Sequence, residues 1–153
     1  MGIWKSFIGN AKVKLTTDGG LAVLMLNKTG GVSVKGEVVT PYNDMAIENA
    51  VEKIVVDVPN PIGVFLDSGI PDGQFAWIVI SGKAYVYFVG NTARGQLARG
   101  FLTADGGAYV TGQALAENLP TSPFSSDKHF YEIGHICESR TGAGIALVEL
   151  HFN

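Results

Sequence analysis

The chain reads as a succession of short apolar runs broken by glycine. Lys12-Val13-Lys14-Leu15-Thr16 alternates polar and apolar positions, the mark of a half-buried strand. Leu21 to Leu26 is a continuous apolar run between Gly19-Gly20 and Asn27. Gly30-Gly31 then turns the chain into Val32 to Val39, where Val32, Val34 and Val38 share one parity. Glu52 to Val58 and Ile62 to Leu66 are β-branched runs separated by Pro59-Asn60-Pro61, a break that forbids helix. Phe75 to Ile80 and Ala84 to Val89 flank Ser81-Gly82-Lys83, a separation that predicts a hairpin. Further strands are expected over Ala98 to Thr103, Ala108 to Thr111, Phe130 to Glu138 and Ile145 to Phe152. Asp105-Gly106-Gly107 and Thr141-Gly142-Ala143-Gly144 turn the chain between them. Helix is confined to a turn or two near Met45 to Ala50 and Gln113 to Asn118. Leu119 to Lys128, polar and rich in proline and serine, reads as a long exposed loop.

Twenty glycines punctuate these runs, and turn signals about every 8–12 residues are the pattern of an all-β barrel or sandwich. A chain of 153 residues suits one domain with a real core. We therefore expect an N-terminal arm over residues 1–10 and a single β domain over 11–153.

Two segments of that domain match each other. Lys35-Gly36-Glu37-Val38-Val39-Thr40 pairs with Arg99-Gly100-Phe101-Leu102-Thr103 as a base, a glycine, two apolar residues and a threonine. Downstream, Pro61-Ile62-Gly63-Val64-Phe65-Leu66-Asp67-Ser68 pairs with Glu132-Ile133-Gly134-His135-Ile136-Cys137-Glu138-Ser139. Each Ile-Gly strand leads through a glycine turn into another apolar strand, so two diverged strand–loop–hairpin units are expected, over about residues 32–82 and 98–152. The second is the longer, with its insertion placed in Leu119 to Lys128. The Ile-Gly glycines are expected at a bulge or a close strand crossing.

Composition narrows the function classes. Charged residues make up 16% of the chain against 46% hydrophobic, a balance that leaves apolar surface for partner subunits to cover. The net charge of −3, with no run of lysine or arginine, argues against a phosphate-tracking groove and hence against nucleic-acid binding. No stretch reaches the ~18 apolar residues of a spanning helix, and Met1 to Asn10 lacks the apolar run of a secretory signal. Cys137 is the only cysteine, which fits synthesis in a reducing cytoplasm. Met1-Gly2-Ile3-Trp4-Lys5-Ser6 fits the loose myristoylation pattern and Asn27-Lys28-Thr29 is a formal glycosylation acceptor; neither pattern carries weight alone.

Candidate chemistry is sparse. His129, His135 and Cys137 share strand parity, but residues six apart on a strand stand roughly 20 Å apart, too far for one ion. His135 and Cys137 would supply only two ligands, and strand neighbours project in parallel rather than towards each other as a catalytic dyad must. No Gly-x-Ser-x-Gly elbow occurs. Asp57, Asp67, Asp72, Glu132 and Glu138 sit mostly beside turns, where solvated carboxylates are common, and the glycine-rich segments lack the Gly-Lys-Ser/Thr ending of a phosphate loop. The reading is a non-enzyme without cofactor or metal. Trp4, Phe7 and Ile8, clustered before the first strand, are candidates for an interface that gains much contact area at little entropic cost. Phe124 in the long loop is a fourth, and Tyr42, Tyr109 and Phe124 would be the rings of the alternative reading, a carbohydrate- or receptor-binding module such as a fibre or spike tip.

The run Glu132-Ile133-Gly134-His135 followed by Ala146-Leu147-Val148-Glu149-Leu150-His151-Phe152 resembles the endings of tailed-phage capsid decoration (cement) proteins. Lys35-Gly36-Glu37-Val38-Val39 and the order Ile62-Gly63-Val64, Asp67, then Gly82-Lys83-Ala84-Tyr85-Val86 are similar to that group as well. The resemblance runs from about Val32 to the C-terminus; the 119–128 insertion and the aromatic N-terminus depart from it. It implies a β-barrel virion protein, made in the host cytoplasm, that binds the outside of a capsid. Its partners would be the major capsid protein or other virion proteins and copies of itself, a homotrimer being favoured, with neither nucleic acid nor membrane as a partner. It implies no catalytic residues.

Overall fold

The computed structural model describes residues 12–44, 46–54, 60–100, 112–119 and 132–152. Ten strands run through them: β1 Val13–Leu15, β2 Gly20–Asn27, β3 Val38–Pro41, β4 Ala50–Lys53, β5 Gly63–Phe65, β6 Phe75–Phe88, β7 Leu97–Gly100, β8 Ala114–Glu117, β9 Glu132–Ile136 and β10 Gly144–Leu150. No helix occurs among the described residues, and all ten strands belong to one sheet. The protein is all-β, as the glycine-punctuated pattern predicts.

The sheet order β1-β2-β4-β3-β5-β6-β10-β9-β7-β8 closes back on itself through β2–β6 and β6–β8. Two five-membered rings of pairing result. The first is β2-β4-β3-β5-β6 and the second β6-β10-β9-β7-β8, with β6 common to both. Every strand of the first ring contributes to one apolar cluster: Val23 and Met25 from β2, Val39, Val51, Phe65, and Ala76 and Ile78 from β6. The second ring fills its centre likewise with Ala84, Val86, Phe88, Ala98, Ala114, Ile136, Ala146, Val148 and Leu150. Alternating positions point inward on each strand, as a closed sheet requires.

The two rings are copies at the level of individual hydrogen bonds. The N–H of Gly36 donates to Phe65 O at 2.8 Å, and that of Gly95 to Ile136 O at 2.9 Å. The N–H of Lys35 donates to Ser68 Oγ at 2.8 Å, and that of Arg94 to Ser139 Oγ at 3.0 Å. A carboxylate or amide oxygen caps the same tight turn in each: Glu37 Oε2 accepts from Val34 N, and Gln96 Oε1 from Ala93 N. The buried hydroxyls of Ser33 and Thr92 donate to Asp67 O and Glu138 O. Two diverged units are therefore present, but their register differs from the expected one. Lys35-Gly36-Glu37 corresponds to Arg94-Gly95-Gln96, not to Arg99-Gly100; Ile62-Gly63 and Ile133-Gly134 correspond as predicted. The second unit thus begins before residue 98, at least from Thr92.

Both Ile-Gly glycines stand where strands crowd. A Cβ on Gly63 would lie 2.7 Å from Val79 O on β6, and a Cβ on Gly134 would collide with the Glu149 carbonyl oxygen on β10. The close crossing expected of them is what holds them as glycine.

Several predicted elements differ. Ser81-Gly82-Lys83 is no hairpin: β6 runs unbroken through it for 14 residues. Gly82 takes φ +73° and lies against Gly19 and Gly20, too close for any side chain, while the β2–β6 register shifts between Leu21 and Ala22. The glycine bends one strand from ring to ring instead of reversing it. Residues 32–37 form no strand, because their backbone is engaged by the capped turn at Glu37 and by the loop after β5; Val32 and Val34 are exposed in consequence. Gln113 to Asn118 holds strand β8, where pairing with β7 overrides local helix preference. In the first candidate helix, Ile47 N donates to Asp44 O in a single turn before β4. β1 is exposed along its whole length instead of half-buried. The arm 1–10, residues 55–59, 101–111 and 120–131 lie outside the described residues, and with them Pro59, the expected strand over 108–111 and most of the 119–128 loop.

Gly134→Ala and Gly63→Ala are each expected to destabilise the fold by about 3 kcal/mol, the range of overpacked core sites. Gly31→Ala, with open space around its Cα, should stay within about 0.5 kcal/mol; urea unfolding of the three variants checks the contrast. Ser33 Oγ also accepts from Ile70 N at 3.0 Å. Ser33→Ala is therefore expected to cost about 1–3 kcal/mol in the same assay.

Candidate functional site: a histidine and glutamate cluster on the second ring

The duplicated backbone lets equivalent faces be compared. In the first ring, Val38, Val64 and Val79 are register partners across β3, β5 and β6. They point away from that ring's centre and are fully buried, packed in one cluster with the residues of the second ring. In the second ring the same three positions are Leu97, His135 and Glu149 across β7, β9 and β10. No third ring covers this face among the described residues, and His135 and Glu149 are exposed. Where the first copy keeps three valines, the second keeps one apolar residue, Leu97, and carries two ionisable groups.

A local irregularity adds a third group. Arg99 pairs with Glu132 and Ala98 with Gly134, so Ile133 is an extra residue on β9 and the register shifts there. A bulge of this kind reverses side-chain parity beyond it. Glu132, three residues before His135, consequently falls on the same face as His135 although a regular strand would put them on opposite faces. The residue after β10 completes the set: His151 donates its backbone N–H to Ile133 O at 3.0 Å, which extends the β9–β10 pairing by one step.

The side chains converge. Glu132 Oε1 lies 3.2 Å from His151 Nε2 and 3.8 Å from His135 Nε2. The two imidazole centroids are 4.7 Å apart at 48°. One ligand atom from each of the three residues falls within 4.8 Å of the other two. The Glu132 carboxylate is buried, whereas His135 stands half in solvent. His151 Nε2 is shielded from water and has no hydrogen bond; its approach to Glu132 is that of an ion pair without hydrogen-bond alignment. Beside the cluster, Arg99 Nε meets Glu117 Oε2 at 2.9 Å. Two imidazoles and a carboxylate can exchange protons or ligate a transition metal.

Sequence reasoning placed His135 with His129 and Cys137 and found too few ligands. The structure instead pairs His135 with His151 and Glu132. Cys137 Sγ rests 3.6 Å from the backbone carbonyl of His135, outside the cluster, and His129 lies outside the described residues. The obtainable signal was the antiparallel pairing of the last two apolar runs, which sets His135 opposite Glu149 and one step from His151; the bulge that admits Glu132 leaves no mark in the pattern. Other carboxylates do serve turns: Asp72 Oδ1 accepts from Gly30 N and Glu138 Oε1 from Leu147 N. Asn27 is no glycosylation acceptor in this fold, since it is fully buried and its Nδ2 donates to Gly31 O and Ile70 O.

The interface candidates Trp4, Phe7, Ile8 and Phe124, together with Tyr109, fall outside the described residues. Tyr42 is half-buried, with Lys28 Nζ 5.9 Å from its ring centroid. An apolar surface that the sequence did not single out is β1. Val13 and Leu15 share one side of that strand and are 53% and 81% exposed. Lys14 lies across Trp77, 4.5 Å from the ring centroid, rather than guarding the strand edge. Among the described residues β1 pairs on one side only, with β2. No protein-family model matches the chain, and the search of curated proteins finds no match either.

Proposed function

We propose that the chain is a non-catalytic structural protein of a phage virion that decorates or stabilises the outside of the capsid as a homo-oligomer, in the favoured form a trimer. The observation that carries this reading is the β1 edge. An unpaired strand edge with two exposed apolar side chains is a template for pairing with another chain, and free-standing proteins protect such edges with charge or cover. Of the two lysines that flank Val13, Lys14 is turned onto Trp77. Main-chain hydrogen bonds at such an edge supply affinity, and the alternate side chains supply selectivity.

The candidate arm with Trp4, Phe7 and Ile8 directly precedes this edge in sequence, so aromatic anchors and an edge unpaired among the described residues fall in one stretch of chain. A low charged fraction supports the same reading, since a surface that meets many symmetric neighbours gains from apolar contact and avidity more than from one deep site. The partner surface in this reading is the major capsid protein or a neighbouring copy of the chain.

Native mass measurement should find a trimer, and purified chain should bind cognate capsids. A Val13→Asp/Leu15→Asp variant is expected to keep the β-sheet circular dichroism of the parent while losing capsid affinity by roughly tenfold or more. Deletion of residues 1–10 should weaken binding too. A monomer whose capsid binding neither change affects overturns the proposal.

A further inference from the structure

The geometry points to a binding site for a zinc-class divalent transition metal, held by Glu132, His135 and His151. This goes beyond the structural role proposed above and does not depend on it. A tetrahedral zinc ion with bonds near 2.0–2.2 Å holds its donors about 3.3–3.5 Å from one another. The Glu132 Oε1 to His151 Nε2 distance of 3.2 Å is already at that value, and that of 3.8 Å to His135 Nε2 is close to it. The third edge of the triangle is no longer than 4.8 Å. His135 is the exposed member, so its side chain is the one with room to adjust towards the other two.

Three further features favour a cation there. The Glu132 carboxylate is buried beside both imidazoles, and a buried negative charge strengthens its attraction for an ion. His151 Nε2 is hidden from solvent and makes no aligned hydrogen bond, and it faces the Glu132 carboxylate at 3.2 Å, so a shared ion would serve both. Both strands that carry the donors are tied together by the β9–β10 ladder and by the His151 N–H to Ile133 O bond, so the donor positions are set in advance. Two imidazoles with one carboxylate suit zinc, cobalt, nickel or copper and disfavour calcium and magnesium, which prefer oxygen donors alone. Three protein donors leave one coordination position for water or for a donor from a partner. The ion would staple the end of β10 to the start of β9, closing the second ring where the chain leaves it.

The test uses the full chain stripped with a chelator and titrated with zinc chloride by calorimetry, and with cobalt chloride by visible absorption. One zinc per chain is expected, with cobalt d–d bands of a four- or five-coordinate site and a melting temperature raised by about 5–10 °C when zinc is a hundredfold above Kd. The His135→Ala/His151→Ala variant, altered at the solvent-facing edge of the ring, should remain folded. It should lose more affinity than the ~10–100-fold that follows removal of an outer-shell partner. Glu132→Gln keeps the side-chain shape and should weaken zinc binding; Cys137→Ser should bind as the parent does. Absence of stoichiometric zinc binding overturns the site, as does binding that survives loss of both histidines or that disappears in Cys137→Ser.

Discussion

The fold depends on one strand serving two closures. β6 ends the first ring with residues 75–80 and opens the second with residues 82–88, so neither five-stranded ring is complete without it. That double duty requires a bend in which the chain continues without reversing, and Gly82 supplies it by taking a positive φ and by letting the β1–β2 turn at Gly19-Gly20 approach without a side chain between. A Cβ at that point would push β2 off β6. The first ring would open, and the valine face it turns towards the second ring would lose its support.

Because the rings share a strand, their equivalent faces meet unequal surroundings. The outward face of the first ring is sealed by the second, and Val38, Val64 and Val79 contribute there by burial, at about 1.5–3 kcal/mol for each fully buried side chain. Nothing described seals the equivalent face of the second ring, so apolar residues at its exposed positions would gain nothing from burial. Leu97 stays buried, but His135 and Glu149 face water in place of valine. One backbone solution thereby serves a structural role in one copy and is free to carry polar groups in the other.

Much of this was legible in the sequence, and the failures have definite causes. The all-β class, most strand positions and the Ile-Gly correspondence follow from apolar periodicity and glycine spacing, which are local. The hairpin misreading at Ser81-Gly82-Lys83 arose because a small-residue triplet between two apolar runs looks the same whether the chain reverses or bends; only the partner glycines of a distant turn decide it. The repeat register slipped because Arg99-Gly100 imitates Arg94-Gly95 in residue type. The real equivalence lies in backbone bonds to Phe65 and Ile136, which no pairwise residue comparison contains. Tertiary pairing likewise turned Gln113 to Asn118 from a helical turn into β8. The Glu132 cluster was hidden for a similar reason: its members reach one face only through a bulge and through the ladder between β9 and β10.

The same asymmetry gives the molecule two unlike regions. Its described exposed apolar positions include Val13 and Leu15 of β1, which pairs on one side only among the described residues. The polar cluster lies on different strands, β9 and the end of β10 in the second ring. A surface that docks by apolar burial and one that holds an ion by charge make opposite demands: the first must shed water over a wide area, the second needs a few fixed donors and keeps a solvent path. On the two proposals above, the fold would meet these demands with different strands, β1 for the first and β9 with the end of β10 for the second. Substitution at β1 should therefore act on association without altering the donors, and substitution at His135 or His151 should act on ion binding without altering the edge. The two sets of side chains are joined through β2, β6 and β10, so a double-mutant cycle between β1 and the histidines reads directly whether β6 couples them.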